Sequence, residues 1–237
     1  MAYRKSSPRV EFHRAIADVV ERVRAAGAQG VPLALKEYVY ACSIFLSHAQ
    51  FENYFVDVLD RVARMYSSQS TTNSEIPVGL RTHVFLSRSN MWRSIANWLA
   101  NGDEQLLLRG AAAALNNHVP TFLGATSPPQ PLTGADLSGS LTYPSEANLI
   151  QVLRRIGIGD PKGAINQAAG ADAWSLLQSV ASLRTALAHD GSMPGVSERD
   201  LVARLRGLEK FVVAVDHALY VHVRKTHKVQ AWTASMP

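Results

Sequence analysis

The chain has 237 residues, of which 47% are hydrophobic and 18% are charged, a composition typical of globular proteins that excludes a largely disordered chain. The net charge is +5, and 18 of the 24 basic residues are arginine, which mildly favours a nucleic-acid partner. The single cysteine, Cys42, excludes an internal disulfide and a cysteine-based metal site, and its apolar neighbours predict a buried thiol. No apolar run is long enough for a membrane span or a signal peptide, so we expect a cytoplasmic protein.

The first half of the chain has helical rather than strand periodicity. Ser7 and Pro8 are typical of a helix N-cap and first turn, and this helix is expected to stop at Gly27. Residues 33–66 predict a long helix whose core side chains recur every three or four positions: Tyr40, Ile44, Ser47 or His48, Phe51 and Phe55. A polar break at 67–73 precedes shorter predicted helices at 76–87, 90–99 and 103–117.

The second half begins with an irregular segment, residues 119–144, rich in Pro, Gly, Ser and Thr. We expect this segment to be a mobile loop or lid rather than a buried element. Helices are predicted from Ser145 to Gly157, over 173–189, and from a capping residue at Ser197 to the basic tail. Without repeats or long low-complexity runs, the chain is predicted to form one all-α domain, residues 1–237, with its core at about 33–225.

Established cofactor motifs are missing from the sequence. The glycines of residues 157–163 follow a helix, so they indicate a helix stop rather than a phosphate-binding loop. His48 and Glu52 lie four residues apart, but two ligands are too few for a metal site, and we expect no metal or other cofactor. Arg224, Lys225 and Lys228 in the tail either contact a phosphate backbone or form a solvated helix end.

The segment SLRTALAHDG, residues 182–191, places Arg184 and His189 in a helix otherwise built from small and apolar residues. The negative end of a helix dipole favours a protonated imidazole at the position of His189, which suits a general acid. Five residues of regular helix turn by about 500°, so the two side chains should diverge by roughly 140°. One site containing both requires distortion of the helix end or a second copy of the helix. The alternative is a capping histidine and a surface arginine paired with a carboxylate.

The same segment resembles the R-x4-6-H motif of the HEPN superfamily. SHAQFENYFVDVL, residues 47–59, resembles the HEPN helix that carries a glutamate flanked by aromatic residues, here Glu52, and NLIQVLRRIGI, residues 148–158, resembles the RiboL-PSP type of HEPN domain. The resemblance covers most of residues 33–225, although 67–144 matches nothing specific.

The resemblance implies an all-α helical bundle that dimerises through its motif helices and cleaves RNA without a metal ion. Arg184 and His189 would be the catalytic pair, and Glu52 a supporting residue or simply a salt-bridge partner of Arg184. Their neighbours in the two motifs, His48, Thr185 and Asp190, complete the predicted supporting set. Thr185 departs from the polar Asn, Asp or His often found after the arginine, which puts activity in doubt.

The partners implied are RNA, a second copy of the chain and an antitoxin or other regulatory protein, as in toxin–antitoxin or phage-defence systems. One alternative is a catalytically inactive HEPN dimer that binds RNA, a nucleotide or a protein. A third reading is an unrelated helical protein in which the motif is a coincidence.

Overall fold

The computed structural model describes residues 3–118, 123–139, 141, 144–190, 195–226 and 232. These residues form helices and no strand, which confirms the predicted all-α class. Ten α-helices are present in this part of the chain: α1 Ser7–Gly27, α2 Leu33–Gln69, α3 Val78–Arg88, α4 Met91–Asn101, α5 Glu104–His118, α6 Gly134–Ser138, α7 Glu146–Arg155, α8 Pro161–Ala169, α9 Ala173–Asp190 and α10 Glu198–Thr226. None of the described helices has the length and apolarity needed to cross a membrane.

Side-chain caps define the helix starts that the sequence predicted. The N-cap of α1 is Ser6 rather than Ser7, since the Ser6 hydroxyl accepts a hydrogen bond from the Arg9 amide at 3.2 Å. Ser145 and Ser197 cap α7 and α10 as expected, accepting from the amides three residues later at 3.3 and 3.2 Å. The predicted bounds of the other helices agree to within a few residues, and α2 continues to Gln69 through the first part of the predicted polar break.

Helix α1 runs antiparallel to both α2 and α10. The start of α1 meets the far half of α2, where Arg61 donates to the Ser7 hydroxyl at 2.7 Å, and the end of α1 meets the start of α2, where Lys36 donates to the Gly27 carbonyl. Against α10, Ser6 at the start of α1 hydrogen-bonds with the buried Asp216. The α1 helix is thereby fixed along the groove between α2 and α10.

Helix α9 packs against the same two helices and runs antiparallel to α10. Near its start, the Trp174 ring lies 5.3 Å from that of Phe211, and one and a half turns later the Ser179 carbonyl accepts from Arg204 at 2.6 Å. The Phe51 ring of α2 lies 5.9 Å from Phe211 on its other side. The four long helices thus form a bundle, and α9 ends at the end of the bundle where α2 and α10 begin.

The core of the bundle contains the side chains expected from the periodicity of α2. Tyr40, Ile44, Phe51 and Phe55 are buried, together with both Ser47 and His48. The prediction of a buried thiol is wrong, because Cys42 is only half-buried. Residue 42 lies outside the stripe of core positions, so the apolar residues next to it in sequence do not surround it in space.

Part of segment 119–144 packs into the fold, contrary to the expectation of a loop with no buried element. Residues 134–138 form α6, which begins with a capping box between Thr133 and Asp136. The Gly134 amide donates to the Asp60 carboxylate of α2 at 3.0 Å, and Leu137 is fully buried. Residues 119–122, 140, 142 and 143 lie outside the described residues, and the predicted mobility of the segment stays a prediction.

Helix α8 was missed in the sequence, where residues 157–163 were interpreted only as a helix stop. Gly157 does follow the end of α7, with a φ of +99° that favours glycine. Three residues later, however, Asp160 accepts from the Gly163 amide at 3.0 Å and Pro161 occupies the first turn of α8. This cap and the proline begin a helix whose Ile165 is fully buried.

Candidate functional site

Helix α9 places Arg184 and His189 in different surroundings within one chain. The helix is continuous from Ala173 to Asp190, so it includes both residues and the end of the helix is not distorted before His189. At about 100° per residue the two side chains diverge by roughly 140°. Arg184 is half-buried and faces α2, whereas His189 is exposed. A single chain therefore does not bring the two residues together in one pocket.

Arg184 lies beside the buried His48 of α2. The His48 side chain is 3% exposed and interacts with the backbone of Val180, one helical turn before Arg184. Burial and the positive charge of Arg184 lower the pKa of the imidazole from 6.5 to about 4, although the hydrogen bond with Val180 acts in the opposite direction. His48 is therefore neutral at physiological pH and forms part of the wall against which Arg184 rests.

Glu52 lies one turn after His48 on the same side of α2 and is half-buried. The aromatic residues beside it have structural roles, since Phe51 packs on Phe211 and Tyr54 packs on Phe12 with ring centroids 5.9 and 5.8 Å apart. Among the ion pairs of the described residues, none joins Glu52 to Arg184. The salt bridge suggested between Glu52 and Arg184 is therefore not formed among the described residues.

The outer face of α9 carries a stripe of small polar side chains that ends at the candidate histidine. Ser182, Thr185 and His189 follow one another at steps of three and four residues, and all three are exposed. The side chain of Asp190 lies outside the described residues. The stripe leaves His189 open to solvent, with no bulky neighbour on its own helix face, so a large substrate has access to its imidazole.

The exposed apolar side chains on the first half of α2 were not identified from the sequence. Tyr38 and Phe45 are 68% and 45% exposed and lie seven residues apart, so they share one face of the helix. Leu35 and Leu46 are also exposed beside them. We call these four residues the α2 apolar stripe. Phe45 is only three residues from His48, so the stripe borders the Arg184 side of α9.

The basic tail lies far from this end of the bundle. Arg224 and Lys225 are exposed in the last turn of α10, whereas α9 ends near the start of α10. The 29 residues of α10 span roughly 43 Å. These two residues therefore cannot serve the same site as His189 within one chain, and Lys228 lies outside the described residues.

In the described part of the chain, no cluster of three or more His, Cys, Asp or Glu side chains is placed to hold a metal ion. What the site offers instead is a guanidinium next to a neutral imidazole, and a second, exposed imidazole at the helix end. An imidazole can transfer protons near neutral pH, and a guanidinium can bind a phosphate.

Comparisons with protein-family models, curated proteins and solved structures found no match to the chain. The side chains at the end of the bundle, together with the resemblance of residues 182–191 to the HEPN motif, carry the functional proposal.

Proposed function

We propose that this protein is a metal-independent endoribonuclease of the HEPN type that acts as a homodimer, with Arg184 and His189 as its catalytic residues. One observation carries the proposal: α9 presents an exposed histidine in its last turn and holds an arginine against α2, beside an exposed apolar stripe. The HEPN-like motif, formed by these two residues, supports the same assignment.

The chemistry of RNA cleavage suits this pair because RNA carries its own nucleophile. The 2′ oxygen attacks the adjacent phosphorus and loses its proton to the imidazole of His189 from one protomer. The bond from phosphorus to the 5′ oxygen breaks, and this oxygen takes a proton from the protonated His189 of the partner subunit. The products are a 2′,3′-cyclic phosphate and a 5′ hydroxyl, and DNA resists because it has no 2′ hydroxyl.

Arg184 would stabilise the extra negative charge on phosphorus in the transition state. His48 supports this role by position and by charge. Its low pKa keeps it neutral beside Arg184, so it adds no competing positive charge, and its buried ring restricts the directions available to the arginine. We therefore assign the buried His48 as a positioning residue, and the half-buried Glu52, one turn later on α2, as a supporting carboxylate.

A dimer would bring together Arg184 and His189, which point in different directions within one chain. The α2 apolar stripe is a contiguous exposed apolar face, of the kind that monomeric proteins seldom expose and that marks an interaction surface. A second copy that covers the stripe would bring its own α9 close to the first α9, because the two features lie side by side. Arg184 of one protomer and His189 of the partner subunit would then face a common cleft.

A second candidate, the binding module without catalysis, is favoured by one specific observation. Thr185 stands where a stronger polar group often follows the arginine, and it is exposed beside His189 with only its hydroxyl to offer. A dimer with this face could hold RNA, a nucleotide or a regulatory protein without cleaving. If the nuclease is a toxin or a defence effector, an antitoxin or other regulator that covers the end of α9 would silence it.

The deciding experiment is an RNA cleavage assay in EDTA with purified wild type, Arg184→Ala and His189→Ala. Matched controls are Arg199→Ala and His13→Ala, which replace an exposed arginine of α10 and an exposed histidine of α1. We expect cleavage by the wild type and both controls, and a loss of at least about a hundredfold in both site variants. End analysis should identify the cyclic phosphate and the 5′ hydroxyl.

Four results would count against the nuclease. Cleavage that EDTA abolishes would indicate a metal enzyme, and equal activity in His189→Ala would remove the proposed proton carrier. An RNA pool that the wild type binds but leaves intact, with binding lost in Arg184→Ala, would favour the binding module. No cleavage and no binding would indicate that the motif is coincidental.

A further inference from the structure

A polar cleft lies among helices α3, α4, α6 and α7, far from the end of α9. Its volume is about 600 Å³, within the range of small-molecule sites. Helix α6 is fixed to α2 at Asp60, whereas Arg184 meets α2 at His48. At about 1.5 Å per residue these two levels are separated by roughly 18 Å along α2. The cleft is thus independent of the proposed nuclease site.

Arg155, at the end of α7, brings a positive charge into the cleft wall, and no carboxylate of the described residues pairs with it. Its Nη1 donates to the carbonyls of Leu137 and Ser138 at 3.1 and 2.8 Å, which fixes the guanidinium in place. Burial lowers the pKa of Arg155, and no ion pair of the described residues includes it. A half-buried, immobilised guanidinium that lacks a counter-charge is suited to an anion.

His83 of α3 adds a hydrogen-bonding group next to this guanidinium. Its Nε2 is buried without a hydrogen-bond partner, and burial followed by the charge of Arg155 lowers its pKa. Gly139 makes room for the pair, because a Cβ there would lie 2.9 Å from His83 Nε2 and 3.4 Å from Arg155 Nη1. With a φ of +62°, this position also disfavours any other residue.

The charge of the cleft is positive. Its one carboxylate, among the described residues that line it, is Asp136, and Arg88 engages both oxygens of this group at 3.0 and 2.7 Å. The Asp136 charge is thereby already balanced. Arg93 of α4 is exposed, forms no ion pair within the described part of the chain, and adds a second positive charge to that of Arg155.

The cleft also offers an aromatic surface beside its cations. Trp92 precedes Arg93 in the first turn of α4 and remains 52% exposed although it lines the cleft. An exposed indole next to an arginine is a stacking platform for a flat heterocycle such as a nucleobase. Phosphate-binding cations and a stacking ring together select a ligand that carries both a phosphate and a base.

We infer that this cleft binds a nucleotide, with its phosphates at Arg155, Arg93 and His83 and its base on Trp92. The ligand is a small nucleoside phosphate rather than an RNA strand, because the basic groups converge in one cleft instead of forming a track along the surface. The inference does not depend on the nuclease. A chain with no RNA-cleaving activity would present the same cleft.

The test is calorimetric titration of the full chain with ATP, pyrophosphate and adenosine, each in EDTA. We expect one ATP to bind per chain. Pyrophosphate should bind at least tenfold more weakly because it has no base to stack on Trp92, and adenosine more weakly still because it has no phosphate for the cations. Arg93→Glu should weaken ATP binding at least about tenfold, and Trp92→Ala by a similar factor. The matched controls are Arg109→Glu and Trp98→Ala, which change exposed residues outside the cleft lining and should bind as the wild type does.

Arg155→Met tests the buried cation and should abolish binding, and because it also frees two carbonyls, circular dichroism must first show that this variant is folded. Arg93→Glu does not share this difficulty, since the exposed Arg93 side chain forms no ion pair with the described residues. No ATP binding at millimolar concentration, or equal losses in Arg93→Glu and Arg109→Glu, would overturn the inference. Tighter binding of a short RNA than of ATP, lost in Arg93→Glu, would replace the nucleotide with RNA.

Discussion

His48 should make the stability of the fold depend on pH in a predictable way. Its pKa is about 6.5 in an unfolded chain and about 4 in the folded protein. As the pH falls below 6.5 the unfolded chain takes up a proton that the buried ring resists. The stability due to neutral His48 is therefore complete above pH 6.5, is lost as the pH falls towards 4, and changes no further below it.

The size of this effect follows from the two pKa values. At about 1.4 kcal/mol per pH unit, the interval from 6.5 to about 4 corresponds to at most about 3.5 kcal/mol of unfolding free energy. The measurement is urea unfolding of wild type and His48→Gln between pH 7.5 and pH 4. Carboxylates titrate in both proteins, so the difference between their free energies isolates the histidine. We expect that difference to fall by about 3 kcal/mol by pH 4.

Arg184→Met provides a second, independent readout of the same contact. The charge of Arg184 is the second cause of the low pKa of His48, after burial. Without it the pKa of His48 should rise, and the acid-induced loss of stability should shrink but not disappear. If wild type and His48→Gln lose stability in parallel, or Arg184→Met leaves the pH dependence unchanged, His48 is not the buried neutral neighbour of Arg184 described above.

Three further predictions concern the interface, α6 and the shared cleft. Phe45→Asp should convert the proposed dimer to monomers in light scattering, whereas Val10→Asp, an exposed apolar position on α1, should leave the mass unchanged. Leu137→Ala should lower the urea-derived unfolding free energy by about 2–4 kcal/mol, and a loss below about 0.5 kcal/mol would contradict the packing of α6. Refolding equal amounts of wild type and His189→Ala together should leave about a quarter of the cleavage activity if both histidines of a dimer are needed, but about half if each chain acts alone.

The long helices could be predicted because their cores repeat at helical spacing. The buried positions of α2, such as Tyr40, Ile44 and Phe51, were correct for this reason. The same periodicity could not identify Tyr38 and Phe45 as exposed. Hydrophobicity shows which side chains favour burial, but whether a neighbouring helix covers them depends on how distant segments pack.

Helices α6 and α8 depend on tertiary contacts and on caps, and the sequence pattern did not predict them. Helix α6 has five residues and is fixed by its capping box and by Asp60 of α2, which is far away in sequence. Helix α8 did have a local signal, because Asp160 and Pro161 are a good N-cap and first-turn pair. The surrounding glycines and prolines dominated the prediction in both cases.

The angular separation of Arg184 and His189 could be predicted from helix geometry alone, and α9 remains regular over both residues. The contact between Arg184 and His48 could not, because the two residues are more than a hundred positions apart and meet only through the packing of α2 on α9. The sequence spacing thus predicted that Arg184 and His189 point in different directions. The structure identified His48 as the residue that packs beside Arg184.

The separation of Arg184 from His189 and the exposure of the α2 apolar stripe are better explained together than separately. The proposed catalytic residues, an arginine that faces α2 and a histidine that faces solvent, do not share one site in the described part of a single chain. An exposed row of aromatic and aliphatic side chains is unfavourable in water. The stripe and the neighbour of Arg184 are linked along α2, where Phe45 lies one turn before His48. Association through this part of α2 would bury the stripe and place the second α9 against the first. In the proposed dimer, the burial that stabilises the complex is therefore also the step that assembles the site.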